Sequence, residues 1–285
     1  PVSQRVGEGV STANEIMDAA RNKPLLVREI PAPVVELDSR PDPIQQQQRW
    51  ELLCGVLPDM APNILQQEGN TYRPDHYLLA LVMQASQQAS TTGSMVQLVT
   101  ASQHYILFLP QQHYVFSTLD IHSPEFAMLC TIPVVSSQTH IHVPVHAELS
   151  QFEALTQKYA SHLYDWDACI WTVSLLTSRG RLEQNTNPNQ AYRLKHWPNL
   201  TRIESIPHVM SIAAMWTQQA ASPLEIAQQL GIPQRYVFAF QGATINLNLL
   251  VREQSATKPN LSTEPKKNRG LFSRLLKRLL GGGAR

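Results

Sequence analysis

Glycine is scarce in this chain, with twelve in 285 residues. Loops that cradle a phosphate need glycine where backbone amides must approach the ligand, so few positions could serve. No G-x-x-x-x-G-K loop, G-x-G-x-x-G turn, G-x-S-x-G elbow or H-E-x-x-H pair occurs. The reading is of a protein that is not an enzyme and holds no cofactor. Cysteine is sparser still: Cys54, Cys130 and Cys169 lie far apart and form no C-x-x-C pair. That argues against a disulfide framework and a zinc finger, and suits a reducing compartment. No apolar run approaches the roughly 20 residues that span a bilayer. The start, Pro1 to Met17, is polar and lacks an apolar core, so no signal peptide is expected. A cytoplasmic protein, at most peripheral at the inner membrane, is expected.

What charge there is divides unevenly. The net charge is +1, yet residues 258–285 hold eight basic side chains and one acid, Glu264. Residues 1–257 therefore carry fifteen basic against twenty-one acidic side chains. The body is acidic and the tail strongly basic.

Composition and periodicity predict an α+β protein in five parts. Residues 1–45 are rich in proline and charge and read as a disordered leader. Residues 46–150 read as an α/β domain with a small antiparallel sheet. It has a helix over 75–90 capped at Asp75, and short β-rich runs at 95–100, 105–109, 114–119, 126–133 and 140–145. Residues 151–252 read as a mainly helical domain. Its first helix, over 151–180, has a break at Asp165, where Asp165 and Asp167 flank Trp166 in a capping role; another helix runs from 207 to about 220. A flexible linker over 253–269 and a basic amphipathic tail over 270–285 follow.

The most informative run is 222–240. Ser222 is a helix N-cap signal with Pro223 after it, and Leu224, Ala227 and Leu230 share one face. Gly231 supplies a left-handed stop, and Ile232, Val237 and Phe240 give a second helix an inward face. The spacing of Ala227, Gly231, Ile232 and Val237 resembles the helix-turn-helix family, which implies two crossing helices. Its second helix offers Gln234, Arg235, Tyr236, Phe238 and Gln241 as the candidate docking or DNA-contact set. One cation in that set, and a net charge of only +2 over 151–252, favour protein docking over nucleic acid. Ile245, Leu247, Leu249 and Val251 alternate as a strand would, with a second helix running on to about Asn246 as the alternative; no partner strand follows, so a two-stranded wing is not expected.

Two further features bear on ligands. His140, His142 and His146 have the spacing of metal ligands on a strand, but no acidic residue accompanies them, and a solvated face without metal is the reading adopted. In the tail, Leu271, Phe272, Leu275, Leu276, Leu279 and Leu280 form one helical stripe, with Arg274, Lys277 and Arg278 opposite. Such a segment suits an anionic membrane surface or a partner's groove.

Three segments, 177–182 (Thr-Ser-Arg-Gly-Arg-Leu), 196–202 (His-Trp-Pro-Asn-Leu-Thr-Arg) and 234–240 (Gln-Arg-Tyr-Val-Phe-Ala-Phe), resemble a family of uncharacterised proteobacterial proteins. That resemblance implies a link to small Ras-like GTPases and type IV pilus motility. The expectation is a signalling or scaffold adaptor, with a DNA-binding transcription regulator carrying an N-terminal sensory domain as the rival.

Overall fold

The computed structural model describes residues 42–253 except 68, 135–138, 144–151 and 153. The chain divides into two units, Pro1–Asp42 and Pro43–Arg285. The leader short of Asp42, His146, the linker beyond Glu253 and the whole tail (Leu271, Phe272, Arg274, Leu275, Leu276, Lys277, Arg278, Leu279 and Leu280 included) lie outside the described residues.

The second unit is built round α5, Trp166–Ser178, in which every residue from Ala168 to Ser178 is buried. A helix apolar on all sides belongs in the middle of a protein. Ser174 donates to the Ile170 carbonyl one turn back at 2.7 Å, and Thr177 donates across to the Cys130 carbonyl at 3.4 Å. The expected break at Asp165 is real, since its carboxylate accepts from the Asp167 amide at 3.1 Å and opens the helix. Before it, however, the chain is strand β6, Leu163–Asp165, and not a continuing helix.

Strands β2 (Val96–Val99), β3 (Tyr105–Leu109), β4 (Tyr114–Ser117), β5 (His140–His142) and β6 form one antiparallel sheet in the order β5-β2-β3-β4-β6. Val96 faces Phe108, Leu98 faces Ile141 and Phe116 faces Leu163. Alternate residues divide between two cores. Val96, Leu98, Ile106, Phe108 and Val115 join the large cluster with α5 and α3 (Leu78–Thr92), while Leu107 and Phe116 meet Phe152 on the other face. The protein is thus α+β with a small antiparallel sheet.

Two expectations about this half are corrected. The run at 126–133 is not a strand but α4, Pro124–Thr131. Ser123 caps it, accepting from the Phe126 amide at 3.1 Å, and Pro124 sits in its first turn. The helix expected from Asp75 begins at Leu78, because Pro74–His76 forms a 3-10 turn and Asp75 pairs with Arg73 at 2.7 Å.

In the other half, α6 (Val209–Gln218), α7 (Pro223–Leu230) and α8 (Gln234–Asn246) follow one another. Ser222 and Glu225 make reciprocal capping bonds at 3.2 and 2.7 Å, and Gly231 takes the left-handed conformation (φ 62°) between α7 and α8. Phe240 of α8 stacks on Trp216 of α6 and meets Trp171 of α5 edge-on, each at 5.7 Å. Strand β9, Leu250–Arg252, does have a partner: it pairs antiparallel with β8, Tyr192–Leu194. That partner lies upstream of the three helices, where a search for a following strand does not find it. One hydrophobic cluster runs from Leu53 to Leu250 through both the 46–150 and the 151–252 segments.

Helix α1, Pro43–Cys54, is followed by the short helix α2, Pro62–Leu65, and packs on α5 and α8. Its end passes the end of α5 at backbone contact. A Cβ on Gly55 (φ 65°) would lie 2.3 Å from the Arg179 carbonyl oxygen, and one on Gly180 (φ 68°) would lie 2.2 Å from that of Cys54. Nearby, Arg49 of α1 forms a two-pronged pair with Glu204, whose carboxylate also lies 3.4 Å from His122. Burial alone would raise the Glu204 carboxyl, but the His122 and Arg49 hydrogen bonds and charges outweigh it and hold its pKa below the usual value. Among the described residues no helix is long and apolar enough to cross a membrane.

Substituting Gly55 or Gly180 by alanine should cost more than about 3 kcal/mol, since backbone must move as well as adopt an unfavourable φ. Gly231→Ala, with nothing within 4 Å of the added carbon, should cost only about 1–2 kcal/mol; equal losses in urea melts would refute the crossing as a tight contact. A depressed carboxyl pKa contributes stability above the unfolded value, and that contribution disappears as pH falls through the folded one. Glu204→Gln should therefore cost about 3 kcal/mol near neutral pH and progressively less below about pH 4.5; a loss independent of pH would refute this.

Candidate functional site

The candidate contact helix α8 is turned inward. Tyr236, Phe238 and Gln241 are 8 %, 3 % and 2 % exposed, and Phe238 packs with Leu65 and Leu182. Gln234 is occupied too: its side chain accepts from the Met60 amide at 3.1 Å and donates to the Met60 carbonyl at 3.0 Å. Its own backbone amide donates to Asp59 at 2.8 Å. Arg235 lies over the Tyr236 ring at 4.7 Å and donates to the Tyr236 hydroxyl at 3.0 Å. The face that a DNA-reading helix would show to a groove is thus covered by residues 57–65. Those residues are about 175 positions away in the chain, and no local pattern signals such a cover.

The histidine strand is β5, at one edge of the sheet, where the His140 and His142 rings stack at 5.8 Å. Among the described residues no group of three His, Cys, Asp or Glu side chains could hold a metal ion. The three cysteines are buried and free, and burial pushes the Cys54 and Cys169 thiols up to about 12. Neither is a thiolate nucleophile near neutral pH.

A cleft of about 730 Å3 lies instead where α3, the β3–β4 turn, the start of α5 and the end of α8 converge. Trp166 forms its floor and is nearly buried. The indole donates to the Ser86 hydroxyl at 3.0 Å, meets Phe108 edge-on at 5.0 Å, and carries the His113 ring stacked in parallel at 5.3 Å. His113 stands 3.9 Å from the Asp167 carboxylate. Burial, reinforced by neighbouring Asp165, raises the Asp167 pKa against the opposing pull of His113 and His196. Two non-glycine residues on the rim, His113 (φ 57°) and Asn248 (φ 56°), hold left-handed backbone conformations. Such strain clusters at functional sites. Asp167 read in the sequence as one of two carboxylates flanking Trp166, with capping the preferred role, and strand pairing rather than a local pattern carries His113 to the start of α5.

Compared with protein families, curated proteins and solved structures, the chain matches none.

Gln241 generates a direct test of the inward reading. It is buried, yet neither amide atom has a hydrogen-bond partner among the described residues. Replacing an unpaired buried amide by an apolar chain of similar size removes a desolvation cost. Gln241→Met should therefore leave stability unchanged or raise it by about 1 kcal/mol. A loss above that in thermal or urea unfolding would show that the amide is satisfied and that α8 sits differently.

Proposed function

We propose that the chain is a non-enzymatic adaptor of the cytoplasm. Its basic C-terminal segment recruits it to the anionic inner face of a membrane, and its folded body docks a protein partner. The observation that carries this reading is the partition of charge. Residues 254–285 hold eight basic side chains and one acid, whereas residues 43–253 hold ten basic and fourteen acidic ones. An anionic surface attracts the first segment and repels the second, so attachment would orient the body towards the cytosol. The leucine stripe from Leu271 to Leu280 adds apolar burial to that attraction. The resemblance of 177–182, 196–202 and 234–240 to proteins linked with Ras-like GTPases and pilus motility makes a small GTPase or a motility component the partner of choice. The buried face of α8 weighs against the rival role in reading DNA.

Co-sedimentation of the full chain with phosphatidylglycerol vesicles and with phosphatidylcholine vesicles tests the reading. Binding should favour the anionic lipid. Leu275→Glu with Leu279→Glu should abolish it at every ionic strength, because charge enters the buried stripe. Replacing Arg274, Lys277 and Arg278 together by alanine should weaken it up to about 100-fold at low salt, at about 1 kcal/mol per cation, and less at high salt. Equal binding to both lipids, or binding unchanged by the glutamates, would overturn the membrane role.

A further inference from the structure

The cleft over Trp166 has a composition that the adaptor role does not use. Its lining includes no lysine or arginine and a single carboxylate, Asp167. The nearest opposite group to that carboxylate is the His113 imidazole at 3.9 Å, longer than a hydrogen bond. The cleft is also lined by the exposed residues Gln87, Ser90, Gln111 and Asn248, whose side chains make no hydrogen bond to other described residues. Each of the four carries both donor and acceptor capacity. Met83 and Ile170 supply apolar wall between them. The volume lies within the range of small-molecule sites, roughly 300–1,000 Å3.

These features select among ligand classes. An anion would meet a carboxylate and no cation. A hard divalent ion wants six or more oxygens, and among the described residues no metal-binding group of three exists. A purely apolar molecule would strip water from four amide and hydroxyl side chains without replacing its bonds. An organic ammonium carrying further hydroxyl groups satisfies all of them. Its charge meets a half-exposed carboxylate that has no lysine or arginine among the lining residues to compete for it.

We propose that this cleft binds a small organic ammonium compound, its amine on Asp167 and its neutral polar groups on Gln87, Ser90, Gln111 and Asn248. The left-handed backbone at His113 and Asn248 then has a use: it sets one residue at each side of the opening, from the β3–β4 turn and from the end of α8. The cleft is lined by residues 83–248 of the body, so its ligand is tested separately from membrane recruitment.

Two matched pairs of probes, differing by ammonium in place of hydroxyl, test this on the isotope-labelled full chain. They are glucosamine against glucose, and tyramine against tyrosol. A millimolar dissociation constant is expected for ligands so small, so titrations run to about 100 mM. At least one ammonium probe should give a saturable shift of the Trp166 indole N–H, with its hydroxyl counterpart at least about tenfold weaker. Asp167→Asn should weaken the ammonium probe at least about tenfold and leave the hydroxyl probe unchanged. Gln87→Ala, on the exposed side of α3, should weaken it a few-fold without changing the unfolding midpoint. Absence of a saturable shift with both ammonium probes would overturn the proposal, as would equal binding within each pair or indifference to Asp167→Asn. The vesicle measurement is unaffected by any of these outcomes, so the two readings fail separately.

Discussion

The contact on which the rest of the second unit depends is the crossing of two backbones at Gly55 and Gly180. Chains that meet at carbonyl-to-Cα distance leave no room for a side chain on either partner. The crossing fixes the end of α1 against the end of α5, and Arg235, at the start of α8, closes over the same point. Three helices from separate stretches of sequence are therefore held by one small region. The Arg49–Glu204–His122 cluster pins the middle of the same helix α1 to two loops. Between these points α5 is enclosed on every side, and its register against the sheet is set by β6, which runs directly into it.

Much of this was legible where local chemistry decides the structure. The run Ser222-Pro-Leu-Glu opened a helix with a capping box, and Gly231 closed it, as the residues required. The bounds of β3 were read to the residue, because turn-forming polar residues bracket an unbroken apolar run. Ser123-Pro-Glu carries an equally good helix start, and there the cap prevails over the β-rich reading of 126–133. Strand β6 was hidden for a different reason. Its three residues fit a helical stripe as well as a strand, and only pairing with β4, some fifty positions upstream, distinguishes them.

The sites show the same division. Apolar spacing identified the turn between α7 and α8 but said nothing about which face of α8 would be covered. The cover comes from residues 57–65, whose Asp59 and Met60 take the very groups of Gln234 that a ligand-reading helix would leave free. The cleft over Trp166 was not legible at all. It is assembled from four elements that each look ordinary in isolation: a helix face of serine and glutamine, a turn, a capped helix start and a helix end.

The pairing of α1 with α8 has a consequence for how the protein is made. Synthesis at roughly 5–20 residues per second separates the emergence of these helices by on the order of 10–40 s. For most of that interval α1 lacks α5, and to its end it lacks α8, although Leu53 and Cys54 are destined for full burial. The sheet, by contrast, can gather β2, β3 and β4 as soon as they leave the ribosome, since their pairings are local. Assembly on the ribosome thus begins in the middle of the described body, and α1 is among the last of the described helices to be fully enclosed. In a newly made chain that apolar helix end stays incompletely covered until α8 has been translated.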